Sequence, residues 1–147
     1  NKQMELSDEL KKLASEVINK EKLDLAGAKV EYMLVYPNIS KSTLGRCIRT
    51  SKELNFFSDA DYIIQMSGEV WNQIADETKY ILMFHELEHI QPSISKKGDV
   101  DYKLRDHNVK DFYTIIKRFG LEWFTDLKTQ VSSIYDLEPS EVDSLTL

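Results

Sequence analysis

His85-Glu86-Leu87-Glu88-His89 places two imidazoles four residues apart with a carboxylate next to the first. On a helix of 3.6 residues per turn the two rings differ in direction by about 40°, so both can reach one ion. Neutral imidazole nitrogens suit zinc, and a catalytic zinc takes three protein ligands and keeps a position for water. Zinc brings the pKa of that water toward neutrality, and a carboxylate beside it can take the proton as the water attacks a polarised carbonyl. Glu86 is the residue placed for that work. The chemistry it points to is hydrolysis of a peptide bond.

The chain has three histidines, and the third, His107, lies eighteen residues after His89. It stands just ahead of a helix that Asn108 can cap, so a returning chain could carry it to the metal. His107 is therefore the preferred third ligand, with Asp106, Asp111, Asp101 and Asp99 as the carboxylates that could take its place. Pro92 and Ser95 occupy the positions where the extended metzincin motif has its glycine and third histidine, which excludes that class. Glu88 points about 60° away from His85 and is read as a salt-bridge partner or part of the cleft rim. Asp111 is a candidate to orient a ligand histidine, or else a first-turn carboxylate that complements the helix dipole. Tyr102 and Tyr113 are the candidates for a hydroxyl that stabilises an oxyanion. Cys47 reads as a small buried residue rather than an inhibitory fourth ligand.

These side chains need elements to hold them. Ser7 followed by Asp8 and Glu9, with Leu10, Leu13, Ala14 and Val17 behind, predicts an opening amphipathic helix to Lys20. Residues 29–36 and 61–67 are rich in β-branched and aromatic types and predict two strands; Gly45–Arg49 could form another, and Ser51–Asn55 a turn or short helix. Asp76 is the expected N-cap of the motif helix after a short helix at 69–74. On that motif helix Tyr80, Met83, Leu87 and Ile90 fall within about 40° of the side opposite His85, which predicts a buried stripe behind outward-facing histidines. Gln91-Pro92 should end it, with a loop or tight hairpin over 93–105. A helix from Asn108 to Phe119 stopped by Gly120, and a last amphipathic segment over 121–134, complete the reading.

The bulk properties narrow the class further. The 147 residues suffice to bury a core within one domain. No apolar tract is long enough to span a membrane. A net charge of −6 argues against a broad phosphate-binding surface, since the basic residues occur only as scattered pairs. One cysteine permits no internal disulfide, and no secretory leader is visible, so a cytoplasmic setting is expected. The acidic tail, 135–147, is expected to pack loosely.

The motif is accompanied by Asp61-Tyr62-Ile63-Ile64 and Trp71-Asn72 before it, and by Asp106-His107-Asn108-Val109-Lys110-Asp111-Phe112 and Arg118-Phe119-Gly120-Leu121 after it. Over about residues 28–123 this resembles the putative phage metallopeptidase family, a small SprT-like zincin. The family's second motif usually has an acid after its histidine, where this chain has Asn108. The resemblance implies zinc on His85, His89 and His107 with Glu86 catalytic.

The expectation is a single α+β zincin-like domain, with a small mixed sheet of two to four strands against the motif helix and later helices closing the cleft. Its function would be that of a zinc-dependent metalloprotease acting on a protein or peptide. An edge strand, at 32–36 or 63–67, would align the substrate. The rival reading is a non-catalytic zinc-binding regulatory or host-interaction domain of a phage or mobile element. An intact Glu86, and too few cysteines for a closed four-ligand site, favour the enzyme.

Overall fold

A computed structural model describes residues 1–106 and 113–147. The class is α+β. Four strands form one mixed sheet in the order β1-β2-β4-β3: β1 (Gln3–Leu6), β2 (Val30–Tyr36), β3 (Gly45–Arg49) and β4 (Tyr62–Ser67). The two apolar runs legible in the sequence, β2 and β4, pair in parallel at the centre, from Val30 opposite Tyr62 to Val35 opposite Ser67. β1 and β3 flank them antiparallel. The central place of β2 and β4 puts one face, with Tyr32, Leu34, Ile64 and Met66, in the core, while Glu31 on the other face stays exposed.

Strand periodicity then fixes which side chains look at the helices. Tyr32, Ile64 and Cys47 lie side by side across the sheet, as do Leu34, Met66 and Gly45. All but the glycine belong to the hydrophobic core or pack against it. α1 (Asp8–Lys20) is capped by Ser7, whose hydroxyl accepts from the Leu10 amide at 3.2 Å, and buries Leu10, Ala14 and Val17. It packs on β2 and on α4 (Asp76–Glu88), which in turn meets β3. α2 (Lys52–Ser58) bridges β3 to β4, and α3 (Gly68–Trp71) follows β4 directly. After α4 come the ribbon of β5 (Ile90–Ile94) and β6 (Val100–Leu104), then α5 (Tyr113–Phe119), α6 (Glu122–Tyr135) and α7 (Pro139–Asp143). No helix of the described residues is long and apolar enough to cross a membrane.

Several expectations are corrected. The strands at 32–36 and 63–67 are both interior, so neither is an edge; the edges are β1 and β3. β1 was not foreseen, because all four of its residues are exposed and it carries no buried alternation. The motif helix ends at Glu88, with His89 as its C-cap, and the chain turns into β5 before Pro92. Proline is tolerated there because a two-stranded ribbon leaves an outer edge that needs no N–H donor. The N-cap is Ala75, and Asp76 occupies the first turn, where its charge complements the helix N-terminus. The acidic tail does not hang loose: Leu145 is buried, the Leu44 amide donates to the Thr146 carbonyl at 2.9 Å and the Thr146 amide to the Ser42 carbonyl at 2.6 Å. Backbone pairing and apolar anchors hold it, Leu145 in the core with Leu137 and Leu147 packed against it, and neither is conspicuous in an acidic sequence.

The most consequential correction concerns α4. Its residues from Ile81 through Leu87 are all buried, so it has no exposed binding face. The sheet covers one side and α1, α5 and α6 the others. His85 and Glu86 point into the molecule, not out of it.

Candidate active site

The last turn of α4 delivers His85, Glu86 and His89 together. The two imidazole centroids are 5.2 Å apart with ring planes at 75°. His85 is fully buried and lies 6.1 Å from the indole of Trp123 on α6. His89 keeps part of its surface in solvent, so it marks the open side of the pair.

His89 is oriented by the chain that returns after β6. Its Nδ1 lies 2.7 Å from the carbonyl oxygen of Arg105. A carbonyl can only accept, so Nδ1 carries the proton and Nε2 is the nitrogen that can present a lone pair to a metal. The Arg105 amide returns a 2.7 Å bond to the His89 carbonyl, and its guanidinium meets Glu88 Oε2 at 2.7 Å. Glu88 is thus a salt-bridge residue, as its direction on the helix predicts.

Glu86 faces β3. A Cβ at Gly45 would stand 3.1 Å from Glu86 Oε2 and 2.8 Å from Met66 Sδ, so the strand makes room for the carboxylate by having no side chain there. Cys47, two residues along on the same face, has its thiol pKa pushed up by burial and further by the negative charge of Glu86. It stays a protonated thiol, the form least able to bind a metal.

The remaining candidates divide into those the fold engages elsewhere and those outside the described residues. Asp101 pairs with Arg49 at 3.3 Å and approaches Lys103 at 4.0 Å. Asp99 and Asp106 are exposed. No group of three or more His, Cys, Asp or Glu side chains that could hold a metal occurs among the described residues, so these aspartates and Cys47 do not complete a set with the two histidines. Tyr102 is removed from the oxyanion role: its hydroxyl donates to the Ala26 carbonyl at 2.8 Å and its ring stands edge-on to Tyr62. His107, Asn108 and Asp111, together with the side chain of Tyr113, lie outside the described residues.

Among the described residues the donor set is therefore two imidazoles of the kind that bind a divalent metal. Two imidazoles come from one helix turn, one of them held by a carbonyl in the tautomer a metal needs, and a carboxylate stands beside them. The sequence family described as putative phage metallopeptidase matches residues 2–135.

The chain belongs to the putative phage metallopeptidase family. The match runs from β1 through α6, beyond the 28–123 over which the motifs carry the resemblance. Membership in a metallopeptidase family implies a bound metal and a hydrolytic role. No curated protein and no solved structure matches the chain.

Three residues of the site escape the motif. Gly45 carried a signal, since glycine inside a strand often marks close approach of another group. Arg105 acts at the site through its main chain, where residue type says little, and Trp123 reads simply as one apolar position of an amphipathic helix.

Proposed function

We propose that this protein is a zinc-dependent metallopeptidase that hydrolyses peptide bonds, with His85, His89 and His107 as metal ligands and Glu86 as general base. The observation that carries the reading is the Arg105 carbonyl on His89 Nδ1, beside a buried Glu86 for which β3 leaves space. A histidine that only filled the core would have no need of a fixed tautomer next to a second imidazole and a carboxylate.

When bound, zinc would supply Lewis acidity, polarising a carbonyl oxygen and making a water acidic near neutral pH. Glu86 takes the proton from the attacking water and hands it to the departing amide nitrogen. Its burial beneath β3 excludes bulk water from the carboxylate, so the proton has few competing acceptors. β3 is an edge of the sheet and passes directly over Glu86 at Gly45, so it takes over the substrate-aligning role first given to 32–36 or 63–67. The substrate is a protein or peptide, and the acidic net charge makes nucleic acid an improbable partner.

The rival, a zinc-binding domain that cleaves nothing, leaves the space at Gly45 without a purpose. Native mass spectrometry separates the two ligand questions from the chemistry. Wild type and Glu86→Gln should each hold one zinc, while His89→Ala and His107→Ala should hold less. Undiminished zinc in His107→Ala would remove His107 from the ligand set and return Asp111 to consideration.

A further inference from the structure

We infer that Glu88, inside the motif and not itself a ligand, is a positioning residue that sets the tautomer and orientation of His89 through Arg105. The inference rests on the zinc reading only for its effect on affinity.

The connection is continuous. Glu88 Oε2 accepts from Arg105 Nη2 at 2.7 Å, and Arg105 joins His89 by two further bonds of 2.7 Å, from His89 Nδ1 to its carbonyl and from its own amide to the His89 carbonyl. Residues 88, 89 and 105 thus form a closed loop of three hydrogen bonds, in which the guanidinium anchors the segment whose carbonyl orients the ring. Thr114 of α5 adds its hydroxyl to the same Glu88 oxygen at 3.3 Å, so the chain on either side of 107–112 meets at one carboxylate.

Burial separates orientation from simple stabilisation. The Glu88 side chain is 11% exposed and that of Arg105 40%. With the Arg105 partner this open to solvent, the pair's own contribution to stability is modest. Its geometric effect is larger, because the Arg105 carbonyl lies one residue past the end of β6, where the Arg105–His89 amide hydrogen bond and the Glu88–Arg105 ion pair together hold the segment. Loss of groups that orient a ligand histidine typically costs 10- to 100-fold in metal affinity, with the ligand itself untouched.

The test uses metal-free and zinc-loaded protein in wild type, Glu88→Ala, Glu88→Gln and Arg105→Ala. Long-range proton–nitrogen NMR of the metal-free wild type should show His89 as a single tautomer protonated on Nδ1. Glu88→Ala and Arg105→Ala should show a mixture of tautomers and a zinc Kd raised about 10- to 100-fold by chelator competition. Glu88→Gln, which keeps an acceptor oxygen, should restore most of both. An unchanged single tautomer with unchanged zinc affinity in folded Glu88→Ala or Arg105→Ala would overturn the inference. If Glu88→Ala loses its native amide spectrum, Arg105→Ala, which removes a half-exposed side chain, decides the matter. Wild type that binds no zinc would refute the metal reading, while the tautomer comparison would still decide the role of Glu88.

Discussion

At the scale of single residues, the site depends on side chains that are absent or displaced from water. Gly45 is the sharpest case, since any Cβ there meets Met66 Sδ at 2.8 Å and Glu86 Oε2 at 3.1 Å. The thioether is flexible and can yield; the carboxylate can yield only by leaving its place beside the histidines. Gly45→Ala should therefore cost about 1–3 kcal/mol of stability by overpacking. It should also lower kcat by roughly tenfold or more, through a misplaced base. Denaturant titration and steady-state kinetics on the same preparation check both. A kcat equal to wild type would show that Glu86 tolerates the intrusion. The pentad itself was fully legible in sequence, and so was the salt-bridge role of Glu88. What stood around it was not: Arg105 contributes a main-chain carbonyl, and a carbonyl leaves no mark on residue type.

At the scale of elements, the interior strands and α1 follow directly from composition and periodicity. β2 and β4 are apolar because they lie at the centre of the sheet with one face in the core, and α1 has its Ser7 cap and apolar stripe in the expected places. Ser7→Ala should cost about 1 kcal/mol by removing the acceptor for the Leu10 amide, and should leave zinc affinity unaltered because this end of α1 meets the start of α4, where Glu9 pairs with Lys79 at 3.8 Å, rather than its motif end. A loss of zinc affinity in that variant would mean that α1 and α4 respond as one unit. The orientation of α4 was where periodicity misled. Histidine and glutamate score as polar, so a helix buried around its motif half looked amphipathic there, with an imaginary wet face at its functional residues. A polar group is placed inside when a partner or a metal compensates it, and hydrophobic patterning cannot register that compensation. β1 was invisible for the opposite reason, as an exposed edge strand held by backbone pairing alone.

At the scale of the whole molecule, the tail and the buried hydroxyls connect stability to the rest of the fold. Leu145 is anchored in the core, so Leu145→Ala should lose about 2–5 kcal/mol and release the pairing of Thr146 with Ser42. Hydrogen exchange at the Thr146 and Leu44 amides reads that release. Alkaline pH acts more broadly. Burial raises the Tyr62 hydroxyl from 10.0 to about 12, and raises Tyr32, Tyr80, Tyr135 and the Cys47 thiol as well. Each of these groups keeps its proton in the folded state at a pH where the unfolded chain has lost it, so the unfolded state binds fewer protons and stability falls as pH rises. The loss should begin near pH 9 to 10, where the unfolded thiol and phenols ionise, and continue toward about pH 12 for Tyr62. Denaturation midpoints that stay flat from pH 8 to 11 would contradict this burial. The central claim, that the buried carboxylate beside two histidines makes the protein a peptidase, is tested most directly by incubating zinc-loaded wild type and Glu86→Gln with a proteome-derived peptide library. Cleavage by wild type, reduced about 10²- to 10⁴-fold in a Glu86→Gln protein that still holds its zinc, is the predicted result. Equal cleavage by both proteins, or none by zinc-loaded wild type, would contradict it.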